Sequence, residues 1–424
     1  MGYFDEYDLD SRFKSIRTSW NPVHGHYHVV IDWDQRRIIS VCTSEEKDEE
    51  FVYEALYELI DDIPADVVRI ESSNDFELLM SSTAPEDDSA NIPFYPEPTD
   101  FPEHLPKIRR SQLTEIDRLG VQVDHTTFTP TPGETKHVVF KYYMNEGNIA
   151  MFWHETNCTL RIPKHPNIVP FDCLVVDSAG PSCPDKVVGF TTPFIPGGTV
   201  KDNVSRVFKL KYLNQLITAI DYLNLKLGIV HGDICMWNLL IDPETDDLKV
   251  FDFNLGAKVD WEGDKDNRDV FGYKEAHNDV ELAIFTLYEI ITRDLSFREE
   301  NYPEDLGASM VLQKQDWEQH PDVRLEEGVK VSEYRRVLED WVNARKTIDA
   351  ELKNYKQAPN YIDWPPLPQF PLVDCGGAMM RRGSQMRQRM IKRGEPFIKW
   401  VRPPTSHLPL PAGQRLLATG EIVG

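Results

Sequence analysis

Apolar and polar positions alternate over His26–Trp33 and Arg37–Cys42, on either side of Asp34-Gln35-Arg36, and this spacing predicts two strands joined by a turn. Phe51, Leu56, Leu59 and Ile60 recur at helical spacing within Glu49–Ile60, and Val67–Ile70 adds a further strand. Residues 1–82 therefore read as a small α+β module. Residues 83–106 carry Pro85, Pro93, Pro96, Pro98, Pro102 and Pro106 among acids, which predicts an extended linker packed by Phe94, Tyr95 and Phe101.

The pattern then changes. Val138-Val139-Phe140-Lys141 and Val187–Phe194 read as buried strands. Phe208, Tyr212, Leu216, Ile217, Ile220 and Leu223 line one face of a helix, as a core would require. Leu239–Ile241 and Leu248–Phe251 are short strands, and Asp279–Ile291 is an apolar helix. Ser332–Leu352 predicts a late helix with Ser332 at its N-cap. Asn354–Pro371, rich in proline and aromatics, predicts an irregular wrap.

The chemistry concentrates in His231-Gly232-Asp233-Ile234-Cys235-Met236-Trp237-Asn238 and Val250-Phe251-Asp252-Phe253-Asn254. Asn238 lies five residues beyond Asp233, and Asp252 lies 19 residues beyond it. One carboxylate to take a hydroxyl proton, with an amide oxygen and a second carboxylate to hold a divalent cation, is the set that phosphoryl transfer needs. A lone loop Asp is ordinarily a turn or cap residue; the joint spacing is what carries the reading. Lys141 closes a buried strand, a costly place for a cation without an anionic partner. Glu155 follows within a predicted helix, and His165-Pro166-Asn167-Ile168-Val169 is a turn entering a strand.

With these motifs the stretch from Lys107 to Lys346 resembles the eukaryotic protein kinase family, most nearly its divergent kinase-like members in filamentous fungi. The resemblance implies an α+β, bilobal fold over residues 107–348. A strand-rich lobe would span 107–198 and a helical lobe 199–348, and a basic C-terminal tail would follow at 349–424. It implies ATP and Mg2+ as cofactors and a protein Ser or Thr as phospho-acceptor. Lys141 would contact the α- and β-phosphates and Glu155 would be its helix partner. Asp233 would be the catalytic base, and Asn238 and Asp252 the magnesium ligands. Gly197-Gly198-Thr199-Val200 resembles the glycine pair after the hinge, which makes Thr192 the gatekeeper. Adenine would then meet the Pro193 carbonyl and the Ile195 N–H; proline has the first group and lacks the second. Asp279 matches the helix aspartate that braces the catalytic loop, and equally suits a simple N-cap.

The chain departs from the family in places. Gly120 and Gly133 are the only glycines between Leu113 and Lys141, so the phosphate-binding glycine loop is nearly absent. Gly232 stands where most protein kinases carry an arginine, Cys235 where many carry a lysine, and Asn254 where Asp-Phe-Gly has its glycine. From Asp252 to Asp279 there is no Ser or Thr, and only Tyr273 could be phosphorylated. Regulation other than activation-segment phosphorylation is expected. His231-Gly232-Asp233 also suits small-molecule phosphotransferases of the aminoglycoside and choline kinase type, and the missing glycine loop suits a pseudokinase scaffold.

A net charge of −24 disfavours binding nucleic acid or anionic membrane over the whole surface. The charge is uneven: Gly376–Gly424 has nine basic residues against two acidic ones, and could be an import patch, a solvated tail or an arm on the acidic body. Six cysteines without a C-x-x-C pair suggest reduced thiols in a cytosolic or nuclear protein. No stretch approaches a membrane span, no secretion signal is expected, and Glu6 spoils a myristoylation motif at Gly2. His24, His26 and His28 lack an acidic or Cys partner at ligand spacing, so they read as ordinary histidines.

Overall fold

A computed structural model describes residues 9–22, 25–203, 205–262, 273, 278–301, 307–349, 352–374 and 379–424. It is a mixed α+β structure divided into two compact units. The first comprises Met1–Ile149, Asp172–Phe194 and Pro368–Gly424; the second comprises Ala150–Phe171 and Ile195–Leu367.

The first unit is dominated by a five-stranded and a six-stranded sheet. One has the order β1-β2-β3-β4-β5, from Phe13–Asn21 (β1), Gly25–Asp32 (β2), Arg37–Thr43 (β3), Arg69–Ser72 (β4) and Leu78–Ser82 (β5). The helix Glu49–Leu59, capped by the Asp48 side chain, buries Val52 and Leu56 against Val30, Ile39, Val41 and Ile70. The expected strand at Val67–Ile70 forms two residues later. His28, buried, bonds Ser15 and the Lys47 carbonyl as an ordinary core histidine, whereas His24 lies outside the described residues.

The proline-rich segment packs through Tyr95 and Phe101, as expected, and also gains a strand. Asn91–Pro93 (β6) pairs with Ser384–Met386, and Ala90, Tyr95 and Phe101 are buried. The second sheet has the order β7-β11-β12-β10-β9-β8. Its strands are Lys107–Arg109 (β7), Thr114–Gly120 (β8), Val123–Thr131 (β9), Glu134–Tyr142 (β10), Cys173–Asp177 (β11) and Lys186–Pro193 (β12).

The basic C-terminal segment is built into this unit. Arg387 forms a bidentate pair with Asp88 at 2.5 and 2.9 Å. Arg402, fully withdrawn from solvent, bonds Glu115 at 2.8 Å, Asp124 at 2.9 Å and the Asp34 carbonyl at 2.7 Å. Arg36, at the tip of the β2–β3 turn, joins the same carboxylates, and Arg118 links Glu115 to Asp34. This buried network ties the first sheet, the second sheet and the C-terminal segment together.

The second unit is mostly helical. Leu210–Asp221 buries Tyr212, Leu216 and Ile220 against the apolar helix Asp279–Thr292 and against Val331–Asp349. Val331 already opens that late helix, so Ser332 is not its N-cap. Leu239–Asp242 and Asp247–Val250 form a two-stranded hairpin, and Ile229–Val230 pairs with Ala257–Lys258. None of the described helices is long and apolar enough to cross a membrane. Five cysteines are described, and all are free.

Candidate functional site

The loop His231–Asn238 runs between Ile229–Val230 and the hairpin strand Leu239–Asp242, and hydrogen bonds dictate its shape. Asp279, wholly buried, accepts the His231 N–H at 2.8 Å and the Gly232 N–H at 2.9 Å. It also accepts from Asn224 at 2.8 Å, a residue presented where the preceding helix widens into a π turn over Tyr222–Leu227. Of the two roles open to Asp279, the brace is the one observed, because Asn278 caps the helix through the Val280 N–H. Two turns on, Thr286 donates to the Ile234 carbonyl at 2.9 Å. One helix face therefore holds the first half of the loop at two points.

His231 is buried within the loop. Its Nε2 lies 2.8 Å from the Phe251 carbonyl and its Nδ1 accepts the Asp233 N–H at 3.2 Å. A carbonyl only accepts and a peptide N–H only donates, so the neutral Nε2–H tautomer satisfies both. Gly232 has φ +79°, and a Cβ there would collide with the Leu255 carbonyl. This backbone demand explains a glycine where an arginine is common.

Asn238 donates to the Asp233 carboxylate at 2.8 Å and to its carbonyl at 2.9 Å. With both amide hydrogens so committed, its Oδ1 is the atom left to meet a cation. Asp252 adopts φ +68°, a conformation Asp tolerates better than most residues, while Phe253 is buried beside the His231 ring. Burial lifts the Asp233 carboxyl above its ordinary value, and the nearby Asp252 charge adds to the rise while the Asn238 hydrogen bond opposes it. A carboxylate of raised proton affinity close to an amide oxygen and a second carboxylate is a set of groups compatible with general-base chemistry and with a hard divalent cation. No cluster of three or more His, Cys, Asp or Glu side chains able to hold a metal occurs among the described residues. Burial pushes the Cys235 thiol far up, which makes it an inert core group.

The structure thus brings Asp233, Asn238 and Asp252 together within the second unit. Glu155 is there too, buried in the helix Ile149–Arg161. Lys141, Thr192 and Pro193 belong to the first unit. Lys141 pairs with Phe190 and Thr192 with Val139 across β10 and β12, and strand alternation places Lys141 and Thr192 on one face of that sheet. Ile195 opens the second stretch of the second unit. The sparse-glycine hairpin turns tightly at Val121–Gln122, with Gln122 at φ +61°. Most of Asp252–Asp279 beyond Glu262 lies outside the described residues; Tyr273 donates its N–H to the Trp261 carbonyl.

Thr286, Asn224 and Arg298 escaped sequence reasoning. Arg298 is buried and pairs with Glu289 at 2.7 Å beside the Ile234 carbonyl. The one legible signal was a threonine two helical turns beyond Asp279 in an otherwise apolar helix.

No protein-family model matches the chain. A stretch of 62 residues is 39% identical to "Serine/threonine-protein kinase pim-2" of Danio rerio, covering 15% of this chain and 18% of that protein. The chain thus spans less than a fifth of that relative's length, and the likeness to a kinase is local.

Proposed function

We propose that this chain is an ATP-dependent phosphotransferase of bilobal protein-kinase-like fold that transfers the γ-phosphoryl group of Mg–ATP to a protein Ser or Thr. The kinase-like domain would span 107–348, with 107–198 as its strand-rich lobe and 199–348 as its helical lobe. It would be flanked by the 1–82 module, the 83–106 segment and the 349–424 extension. The observation that carries the reading is the Asp233–Asn238 pair at 2.8 Å, in a loop whose N–H groups are held by buried Asp279.

In this reading Mg–ATP supplies the transferable group. Asp233 takes the proton of the acceptor hydroxyl, and its raised proton affinity favours that step. Asn238 Oδ1 and Asp252 would hold the cation. Lys141 orients the phosphates with Glu155 as its partner, Thr192 lines the base pocket, and Pro193 and Ile195 offer a carbonyl and an N–H to adenine. A small-molecule acceptor is the second reading; it rests on the resemblance of His231-Gly232-Asp233 to the loop of small-molecule phosphotransferases, and Gly232 keeps that form of the loop through its positive φ.

The test is ATP binding and turnover of wild type against Asp233→Asn and Lys141→Met, with a peptide library and a metabolite panel. Turnover of a peptide that is lost in Asp233→Asn with nucleotide still bound supports the proposal. Turnover of a metabolite alone selects the second reading, binding without turnover in the wild type selects a scaffold, and turnover that survives Asp233→Asn removes Asp233 as the base.

A further inference from the structure

The segment after the late helix is anchored in the second unit by contacts that no catalytic role explains. Tyr355 donates its N–H to the Val259 carbonyl at 3.0 Å, Asn360 to Lys226 at 3.0 Å, and Ile362 to Leu227 at 3.1 Å. Gly228, at φ +70°, lets the Tyr355 backbone approach where a Cβ would collide. Trp364, buried, donates its indole N–H to His154 Nδ1 at 3.2 Å, and Trp153 donates its own to the Pro365 carbonyl at 2.9 Å. Both acceptor and donor, His154 and Trp153, immediately precede Glu155 on its helix.

The same segment seizes the strand that follows the Asp252 loop. Lys258 is only 3% exposed. Its ammonium sits 4.4 Å from the Trp261 ring, 4.5 Å from Trp364 and 5.4 Å from Tyr355, and it pairs with Asp363. A cation so buried needs that carboxylate and those rings together. Close by, Gly256 packs against Cys158 of the Glu155 helix. One stretch of chain therefore grips the helix carrying Glu155 and the strand leaving Asp252 at once.

We propose that residues 353–367 are a fixed strap that locks the Ile149–Arg161 helix to the Ala257–Lys258 strand, and that Trp364 and Asp363 are thereby positioning residues for Glu155 and Asp252. The functional half of this inference rests on the phosphotransferase reading; the mechanical half does not. A permanent strap supplies by packing what a phosphate on the segment after Asp252 would otherwise supply, and that segment contains no Ser or Thr.

The test uses the full chain and the variants Trp364→Ala, Trp364→Phe and Asp363→Asn. Backbone hydrogen–deuterium exchange is followed in 149–161 and 257–262, with the β2–β3 hairpin as internal reference, and kcat and KM for ATP turnover are measured alongside. Trp364→Ala is expected to speed exchange in both segments at least tenfold, to leave the hairpin unchanged and to lower kcat at least tenfold. Trp364→Phe, which keeps a ring without the N–H, should fall in between, and half-exposed Asp363→Asn provides a second break should the alanine variant fail to fold. Unchanged exchange in 149–161 in these variants overturns the strap, as does loosened exchange with kcat intact for its positioning role. A wild type without turnover defeats the phosphotransferase reading and the positioning role with it, while the exchange data still decide whether the lock exists.

Discussion

The carboxylate of Asp279 and the backbone of His231 lie 48 residues apart in sequence and 2.8 Å apart in space, and that single bond orients the loop bearing Asp233. Its companion bond to Gly232 uses the second oxygen of the same carboxylate. Substituting Asp279→Asn exchanges one acceptor oxygen for a donor that faces an N–H. Leaving a buried peptide donor unmet costs about 1–3 kcal/mol. Urea unfolding should show a loss of that size, and under the proposed phosphotransferase activity turnover should fall at least tenfold; a variant as stable as wild type would remove the brace.

Gly232 is required by its backbone. Gly232→Ala imposes a side chain at φ +79° and against the Leu255 carbonyl. Strain of this kind costs roughly 1–3 kcal/mol, so thermal unfolding should move down by several degrees. Gly232→Arg, which adds a longer side chain at the same backbone position, should be no better than alanine.

His154 gives the second unit a dependence on pH. Burial, with the Lys258 charge adding to it, lowers its pKa from 6.5 to about 4. The unfolded chain therefore binds a proton that the folded chain refuses between these values. Stability is full above pH 6.5, falls as the pH drops toward 4, and has no further contribution from this group below that. The loss amounts to at most about 3 kcal/mol. Urea midpoints measured from pH 7 to 4.5 should fall for wild type and fall less for His154→Gln.

Arg402 secures the C-terminal segment of the first unit. Burial alone would push Glu115 up, but Arg402, Arg118 and Arg36 overcome it and hold the carboxyl to about 2. That stabilisation is present above pH 4.5 and disappears as the pH falls through about 2. Arg402→Met should cost roughly 3–5 kcal/mol at pH 7, because it strands buried carboxylates. The gap between variant and wild type should narrow toward pH 3. Added salt should change it little, since the partners are shielded from solvent.

Much of the local structure was legible. Alternation marked β2 and β3, helical spacing marked Glu49–Leu59, and the five-residue spacing marked Asp233 and Asn238, whose side chains share a hydrogen bond. The tail's arginines left an import patch, a solvated tail and an arm on the acidic body open, and the structure decides for the last, with Arg402 buried among acids contributed by distant strands. The proline-rich segment showed its aromatic anchors Tyr95 and Phe101 but not its partner strand, Ser384–Met386, almost 300 residues further on.

Sequence by itself determined the periodic elements and the order of chemically competent groups, since both depend on neighbours within a few residues. Tertiary structure alone decided that Asp279 braces a loop instead of capping its helix, that Lys258 needs Asp363 and three rings, and that Arg402 is a core residue. Those outcomes depend on which buried donor, ring or carboxylate arrives from elsewhere in the chain. A polar group removed from water must take whichever partner the fold delivers.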